Sequence, residues 1–198
     1  PGRPVIRVVI PALNEEEAVP KVLSEIPGHL VEEVIVVDNG SKDRTAQRAE
    51  AGGATVLAEP RRGYGYACLR GITHIADSGG GTDIVVFMDA DHSDYPEELG
   101  VLVAPIVRGE ADLVIGSRAL GTREAGSMTW PQRFGNALAT ALIRMMYGVR
   151  FTDLGPFRAI ALDRLLPLCM QDKTYGWTVE MQVKAARTGL RCVEVPVR

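Results

Sequence analysis

The sequence predicts a single α/β domain whose mostly parallel sheet is flanked by helices. Apolar, β-branched segments alternate with helical patterns through its first half, which is typical of a sheet built from β-α-β units. Apolar residues make up 46% and charged residues 24% of the 198-residue chain, a composition that supports one packed core. Polar clusters follow three of the predicted strands, where ligands bind in open α/β sheets.

The predicted elements follow one another in a regular order. Asn14 is predicted to cap a helix, with Glu17 at capping-box spacing, and Pro96 is predicted to open a later helix. The last strand alternates Val with Glu194 and Pro196, so we expect it at an edge of the sheet. The predicted strands are 8–10, 34–37, 54–57, 84–88, 113–115 and 193–197.

An amphipathic helix is predicted in the less regular second half. Its apolar positions follow helical spacing, which fits either a core helix or an interfacial helix that admits a lipid. Trp177 and Met181 lie one turn apart and are interpreted as core residues. The residues of the amphipathic pattern are Phe134, Ala137, Leu138, Ala141, Leu142, Met145 and Met146.

Charge, cysteine spacing and hydropathy restrict the binding partners and the cellular location that we expect for the protein. The formal net charge of −3 gives no overall signal for nucleic acid, so no nucleic-acid partner is expected. The three cysteines are far apart and form no CxxC pair, which favours free thiols in a reducing compartment. The chain has neither a signal-peptide pattern nor an apolar run long enough to cross a bilayer. We therefore expect a cytoplasmic protein, either free or attached to the inner face of the membrane.

Two carboxylates leave the end of the predicted strand 84–88. Asp89 and Asp91 flank Ala90, and two such charges beside a buried strand are costly unless water or a cation neutralises them. Hard cations such as Mg²⁺ prefer oxygen ligands and often take one or two carboxylates together with substrate phosphates. The pair therefore indicates either a metal site or a solvated turn in which Asp94 caps a helix.

Four motifs together resemble the family-2 glycosyltransferases, which have the Rossmann-like GT-A fold. They are Pro11 to Glu16, Val37 to Ser41, Asp89 to Asp91, and Gly116 to Arg118. The likeness is strongest to the dolichyl-phosphate mannose synthase branch and its bacterial polyprenyl-phosphate relatives. It implies one domain over residues 1–198, with a nucleotide-sugar half at about 5–118 and an acceptor half at about 119–198.

The resemblance also implies roles for individual residues. Asp91 would be the main ligand of Mg²⁺ or Mn²⁺, and Asp89 would contact the ribose or the metal. Arg118 would reach the donor diphosphate or the acceptor phosphate, and Arg133 and Arg158 would face acceptor or leaving-group phosphates. The remaining donor-binding residues would be Pro11, Ala12, Asn14, Glu15, Asp38 and Ala90. The family often has a second Asp at Asn39 and a Gln at Ser93, so the base and a third metal ligand stay open.

A basic loop and two further acidic residues complete the candidate site. Gly63 and Gly65 belong to a loop before a helix, where the family often has a similar Gly-x-Gly that contacts the donor. Asp153 or Glu180 could act as a general base if the acceptor is a hydroxyl, or else serve as a turn cap and a solvated helix residue. A phosphate acceptor would need no base, because its second pKa is about 6.

The expected activity is inverting transfer of a hexose from a nucleoside-diphosphate sugar of the GDP-mannose or UDP-glucose type. A polyprenyl or dolichyl phosphate at the membrane surface is the preferred acceptor, and a soluble hydroxyl acceptor is the alternative. A sugar nucleotidyltransferase and a non-catalytic sugar-nucleotide-binding module remain rival interpretations. The first would need a glycine-rich basic loop where Pro11 to Glu15 stand.

Overall fold

A seven-stranded sheet organises the computed structural model, which describes residues 2–79, 81–121, 140, 144–146 and 148–198. The strand order is β3-β2-β1-β4-β6-β5-β7. The strands are β1 (Ile6–Ala12), β2 (Glu33–Asp38), β3 (Thr55–Ala58), β4 (Ile84–Phe87), β5 (Leu113–Ser117), β6 (Arg158–Ala161) and β7 (Cys192–Pro196). The expected mostly parallel α/β sheet is confirmed.

Parallel pairing brings the ends of the first strands to one edge of the sheet. β1 lies between β2 and β4, with Ala12 opposite Asp38 and Val9 opposite Phe87. β6 runs antiparallel to both β4 and β5, while β7 pairs in parallel with β5 at the edge of the sheet. The polar residues that follow β1, β2 and β4 consequently lie close together.

Helices cover both faces of the sheet because successive strand residues point to opposite sides. Val8 and Ile10 of β1 pack with α1, α2 and α4, whereas Val9 packs with α3 and α6. Trp177 and Met181 are both fully buried, as predicted. The helices are α1 (Val19–Glu25), α2 (Thr45–Ala51), α3 (Tyr64–Asp77), α4 (Leu99–Val107), α5 (Leu162–Leu165) and α6 (Trp177–Arg187), with 3₁₀ turns at Pro96–Glu98 and Leu166–Leu168.

Two local predictions are wrong. Asn14 does not cap α1, which begins at Val19 after Ala18 without a side-chain cap. Asn14 instead has a positive φ of 58°, and its side-chain oxygen accepts a hydrogen bond from the Lys42 backbone at 2.8 Å. The strand β6, which begins at Arg158, was not predicted, since that arginine was expected in a phosphate-binding loop.

The predicted amphipathic helix lies mostly outside the described residues. Within it, Thr140 and residues 144–146 are helical, and Met145 and Met146 are 76% and 65% exposed. None of the helices in the described ranges is both apolar enough and long enough to cross a membrane. All three cysteines are free, as expected.

Candidate active site

An acidic cluster lies at the end of β4. Asp89 Oδ1 accepts a hydrogen bond from the hydroxyl of Tyr64 at 3.0 Å, and the Asp89 backbone N–H donates to Asp94 Oδ2 at 3.3 Å. Burial raises the pKa of Asp89 to about 7, and the negative charges of Asp94 and Asp91 add to that rise. Asp91 is exposed, and its carboxylate is held by the Ser93 backbone N–H at 2.9 Å. Asp94 therefore supports Asp89 and does not cap a helix.

Arg118 brings a positive charge to this cluster. It follows β5, and its positive charge lowers the pKa of both Asp89 and Asp94, in opposition to burial. Its backbone N–H donates to Asp153 Oδ2 at 3.2 Å, and its guanidinium Nε lies 3.9 Å from the same oxygen. Asp153 is 3% exposed, and its own backbone N–H donates to Glu194 of β7 at 3.1 Å. Arg118 is thus positioned by residues from two distant parts of the chain.

Arg158 does not face an open phosphate site. It is 0% exposed, and its guanidinium donates to the carbonyl oxygens of Leu154, Gly155 and Thr178. Burial lowers its pKa to about 10, although the nearby acidic groups counteract that effect. The side chain therefore ties together the segment before β6 and the start of α6 beneath the acidic cluster.

The segments after β1 and β2 are joined by side chain to backbone hydrogen bonds. Ser41 Oγ accepts from Asn14 N at 2.9 Å, and Thr45 Oγ1 accepts from Glu15 N at 2.8 Å. Asp38 Oδ1 accepts from Ser41 N at 3.0 Å, which closes the turn after β2. Burial raises the pKa of Glu15, and Asp91 contributes to that rise. Glu15 therefore approaches the acidic cluster, whereas Asn14 and Asp38 shape the adjoining turns.

A cavity of about 380 Å³ opens beside these turns. Pro11, Ala12 and Leu13 line one side, and Asn39 and Tyr64 line another. Thr174 and Tyr175, which come from the second half of the chain, complete the wall. Because the ring of Tyr64 lines the cavity while its hydroxyl bonds to Asp89, this residue links the cavity to the acidic cluster.

Gly63 and Gly65 are glycines for a packing reason. A Cβ at Gly63 would collide with the backbone oxygen of Lys173, and one at Gly65 with the backbone oxygen of Asp172. The Gly63 N–H is also engaged, since it donates to Asn39 Oδ1 at 2.8 Å. Gly63 still lines the cavity, whereas Gly65 is buried at the start of α3.

A sequence model described as "Glycosyl transferase family 2" matches residues 7–165 of the chain. The chain belongs to glycosyltransferase family 2. It is 38% identical over 194 residues to an uncharacterized glycosyltransferase of Mycobacterium tuberculosis, a match that covers 97% of this chain and 84% of the relative. It is 32% identical to an undecaprenyl-phosphate mannosyltransferase of Micrococcus luteus, covering 97% of this chain and 82% of that one.

A solved glycosyltransferase structure shares the fold. The chain superposes with a TM-score of 0.74 and 30% identity on glucosyl-3-phosphoglycerate synthase from Mycobacterium tuberculosis in complex with Mn²⁺, UDP-glucose and glycerol 3-phosphate. That match covers 98% of this chain and 71% of the synthase. The family and the GT-A fold class implied by the four motifs are therefore confirmed.

In this family-2 glycosyltransferase, the predicted site residues do not all converge. Asp89, Asp91, Arg118, Asp153 and Glu15 gather around the acidic cluster, and Pro11, Ala12 and Gly63 line the cavity. Ala90 is 3% exposed and packs in the core. Arg133 lies outside the described residues.

The carboxylate of Glu180 is already occupied by contacts within the protein. Its carboxylate accepts hydrogen bonds from the backbone N–H groups of Gln171 and Asp172 and forms an ion pair with Lys184 at 2.8 Å. Despite its burial, these partners lower the pKa of Glu180, which makes the carboxylate a weaker base. The general-base role considered for Glu180 is at odds with these contacts.

Sequence reasoning did not single out several residues that line the cavity or contact the acidic cluster and Asp153: Tyr64, Asn39, Glu194, Thr174 and Tyr175. Tyr64 lies inside the Gly-x-Gly loop, so its place between two glycines was a usable signal. Glu194 and Tyr175 gave no such signal, because each reaches the site through the pairing of segments that are distant in sequence.

Proposed function

We propose that the chain transfers a hexose from a nucleoside-diphosphate sugar to the phosphate of a polyprenyl phosphate, with inversion at the anomeric carbon. One observation carries this proposal: Tyr64 connects a 380 Å³ cavity, large enough for part of a nucleotide, to the acidic cluster around Asp89. The nucleoside would lie in the cavity, and the diphosphate would extend toward Asp89 and Asp91. The family match favours sugar transfer over nucleotidyl transfer and over a non-catalytic binding module.

The residues at the end of β4 fit a divalent cation such as Mg²⁺ or Mn²⁺. Asp89 is a largely buried carboxylate whose pKa is raised by burial and by the charges of Asp94 and Asp91, more than Tyr64 and Arg118 lower it. The described part of the chain contains no group of three His, Cys, Asp or Glu side chains arranged to hold a metal. Two aspartates plus donor phosphates match the coordination that Mg²⁺ commonly takes. When bound, such a cation would stabilise the departing diphosphate.

The protein's own groups would orient the reactants. Arg118, held by Asp153, faces the acidic cluster and would bind a phosphate of the donor or the acceptor. An acceptor phosphate is ionised at neutral pH because its second pKa is about 6, so it can attack the anomeric carbon without a general base. Orientation and charge stabilisation are then the main contributions of the site.

The test is a transfer assay with labelled UDP-glucose or GDP-mannose, undecaprenyl phosphate in detergent and Mn²⁺. We expect Asp91→Asn to lower transfer by about 100-fold or more, because it removes the charge that would face the cation. Asp163→Asn is the matched control. The Asp163 carboxylate is largely exposed and lines a different cavity, at the opposite end of the strands from the candidate site. The control should transfer hexose at the wild-type rate.

Wild-type turnover in Asp91→Asn would contradict the proposed metal role. A second acceptor class is favoured by the likeness to glucosyl-3-phosphoglycerate synthase, whose structure was solved with glycerol 3-phosphate. Hexose transfer to 3-phosphoglycerate but not to undecaprenyl phosphate would replace the lipid acceptor by a soluble hydroxyl one. In that case Asp153, beside Arg118, would be the candidate base.

A further inference from the structure

We propose that Tyr175 forms the aromatic wall on which the nucleobase of the donor packs, and that residues 169–176 hold its ring there. This role rests on the proposed function, because it assumes that a nucleotide enters the cavity. The side chain of Tyr175 is unusual in its exposure. The residue is 84% exposed, more than Met145 or Met146, yet it belongs to a cavity wall. A ring so exposed adds little to folding and presents a large apolar face to a ligand.

Side chains of α6 hold the backbone of the segment that precedes Tyr175. Glu180 of α6 accepts hydrogen bonds from Gln171 N at 2.9 Å and Asp172 N at 2.7 Å. Lys184, one turn further along α6, pairs with Glu180 and donates to the Cys169 carbonyl at 2.7 Å. The segment that carries the exposed ring is therefore anchored to a helix whose Trp177, Met181 and Ala185 are fully buried in the core.

The tip of the same segment is fixed from the side. Asp172 Oδ1 accepts from Thr174 N at 2.7 Å, which closes a tight turn immediately before Tyr175. The backbone oxygens of Asp172 and Lys173 press against the Cα atoms of Gly65 and Gly63, where no side chain would fit. The start of α3 and the Tyr175 segment thus form one continuous wall of the cavity.

The chemistry of the cavity suits a planar heterocycle better than a phosphate. Pro11, Ala12 and Leu13 lie on one side, and the Tyr64 ring lies 6.4 Å from the Tyr175 ring with an interplanar angle of 27°. The polar atoms of Asn39 are already bonded to protein backbone. Among the described residues of the lining only Arg62 is charged, and its guanidinium points to the Gly40 carbonyl at 3.4 Å.

The charged end of a nucleotide has a separate place. Asp89 and Asp91, the candidate cation ligands, lie beyond the Tyr64 hydroxyl and not in the cavity wall. A donor with its diphosphate near these carboxylates would place its base toward Tyr175. Stacking of bases on aromatic side chains tolerates any base, so Tyr175 would contribute affinity and not the choice between uridine and guanosine.

The test compares Tyr175→Ala, Tyr175→Phe and wild type for binding of UDP and of UDP-glucose by calorimetry in the presence of Mn²⁺. Loss of a base–aromatic stack should weaken both ligands equally, by roughly tenfold, in Tyr175→Ala. Tyr175→Phe should stay within about twofold of wild type, because the phenyl ring preserves the apolar face. Val107→Ala is the control. Val107 is also an exposed apolar residue (51%), but it lines a cavity at the opposite end of the strands.

Steady-state kinetics should show an effect on donor binding and not on the chemical step. Tyr175→Ala should raise the KM for the donor with little change in kcat, because the stack is present before and during transfer. Glu180→Gln should raise the same KM by a smaller factor. Since Glu180 acts through the ring as a positioning residue, Glu180→Gln should add nothing in a Tyr175→Ala background.

Two outcomes would overturn the role of Tyr175. Unchanged UDP affinity in Tyr175→Ala would remove the ring from the base site. Weakening of UDP-glucose alone would place the ring against the hexose and so refute the base assignment. If the wild-type protein bound no nucleoside diphosphate at all, the proposed function itself would fail, which is a separate result.

Discussion

Asn39 helps to shape the cavity beside Tyr64 through all of its side-chain polar atoms. Its Nδ2 donates to the carbonyls of Glu59 at 3.0 Å and Arg61 at 2.8 Å, and its Oδ1 accepts from Gly63 N. Only an amide can donate and accept in this way, since an ionised carboxylate has no donor. The amide of Asn39 therefore fits this position and a carboxylate does not.

We predict that Asn39→Asp lowers the free energy of unfolding by about 1–3 kcal/mol, because the carbonyls of Glu59 and Arg61 lose their donors and face a negative charge. Donor affinity should fall as well, since the segment that leads into Gly63 and Tyr64 would lose these two anchors. Denaturant unfolding and UDP calorimetry measure the two effects. Wild-type stability in this variant would show that the hydrogen bonds of Asn39 contribute nothing.

Other individual residues show what a single sequence can reveal. Asp89 and Asp91 were predictable because they come just after a buried apolar strand, whereas Arg118 was predicted through a motif that resembles the family. Arg158 was misassigned because its acceptors, the carbonyls of Leu154, Gly155 and Thr178, are fixed only by tertiary packing. A basic residue beside Gly and Pro resembles a surface loop until the partners that bury it are known.

At the scale of elements, the parallel core was predictable and the antiparallel insertion was not. The sequence predicts β1, β2 and β4 because they contain continuous runs of β-branched residues, which are typical of strands covered on both faces. β6 has only four residues, and its place between β4 and β5 depends on long-range pairing. The start of α1 was mispredicted because Asn14 uses its side chain to join two loops and not to cap a helix.

An ion pair ties the start of β5 to the start of β7 and makes stability depend on pH. Arg191 donates to both carboxylate oxygens of Asp112, at 2.8 and 3.1 Å, and its hydrogen bonds lower the pKa of Asp112 from its ordinary value. The folded protein therefore holds this carboxylate in its charged form more strongly than the unfolded chain does. Its stabilising contribution is full above the ordinary pKa and is lost as the pH falls through the lowered pKa.

We predict that Asp112→Asn lowers the Tm at neutral pH and flattens the fall of Tm between about pH 5 and pH 2, because its amide does not titrate. Thermal unfolding across that pH range measures both effects. Asp163→Asn serves as the control because the Asp163 side chain is 73% exposed and forms a single, long ion pair with Arg164, at 3.7 Å. An Asp112→Asn profile parallel to wild type would contradict the linkage.

At the scale of the whole molecule, the candidate site depends on both halves of the chain. The predicted division at about residue 118 would place the donor site in the first half, whereas the cavity proposed for the donor is also lined by Thr174 and Tyr175, and Glu194 positions the segment beside Arg118. β6 and β7 also join the same sheet as β1 to β5. Motif order therefore predicted the family and the acidic end of the site, whereas the far wall of the cavity required the fold.

We propose that Asp89 and Asp91 would hold a divalent cation beside the donor diphosphate, and that the base would lie against Tyr175. A crystal structure of the protein with UDP-glucose and Mn²⁺ would locate the cation, the diphosphate and the base. We predict an ion about 2.0–2.3 Å from a carboxylate oxygen of Asp91 and from phosphate oxygens, with uracil in the cavity beside Pro11 and Tyr175. A diphosphate bound away from β4, or an ion that does not touch either aspartate, would contradict the account.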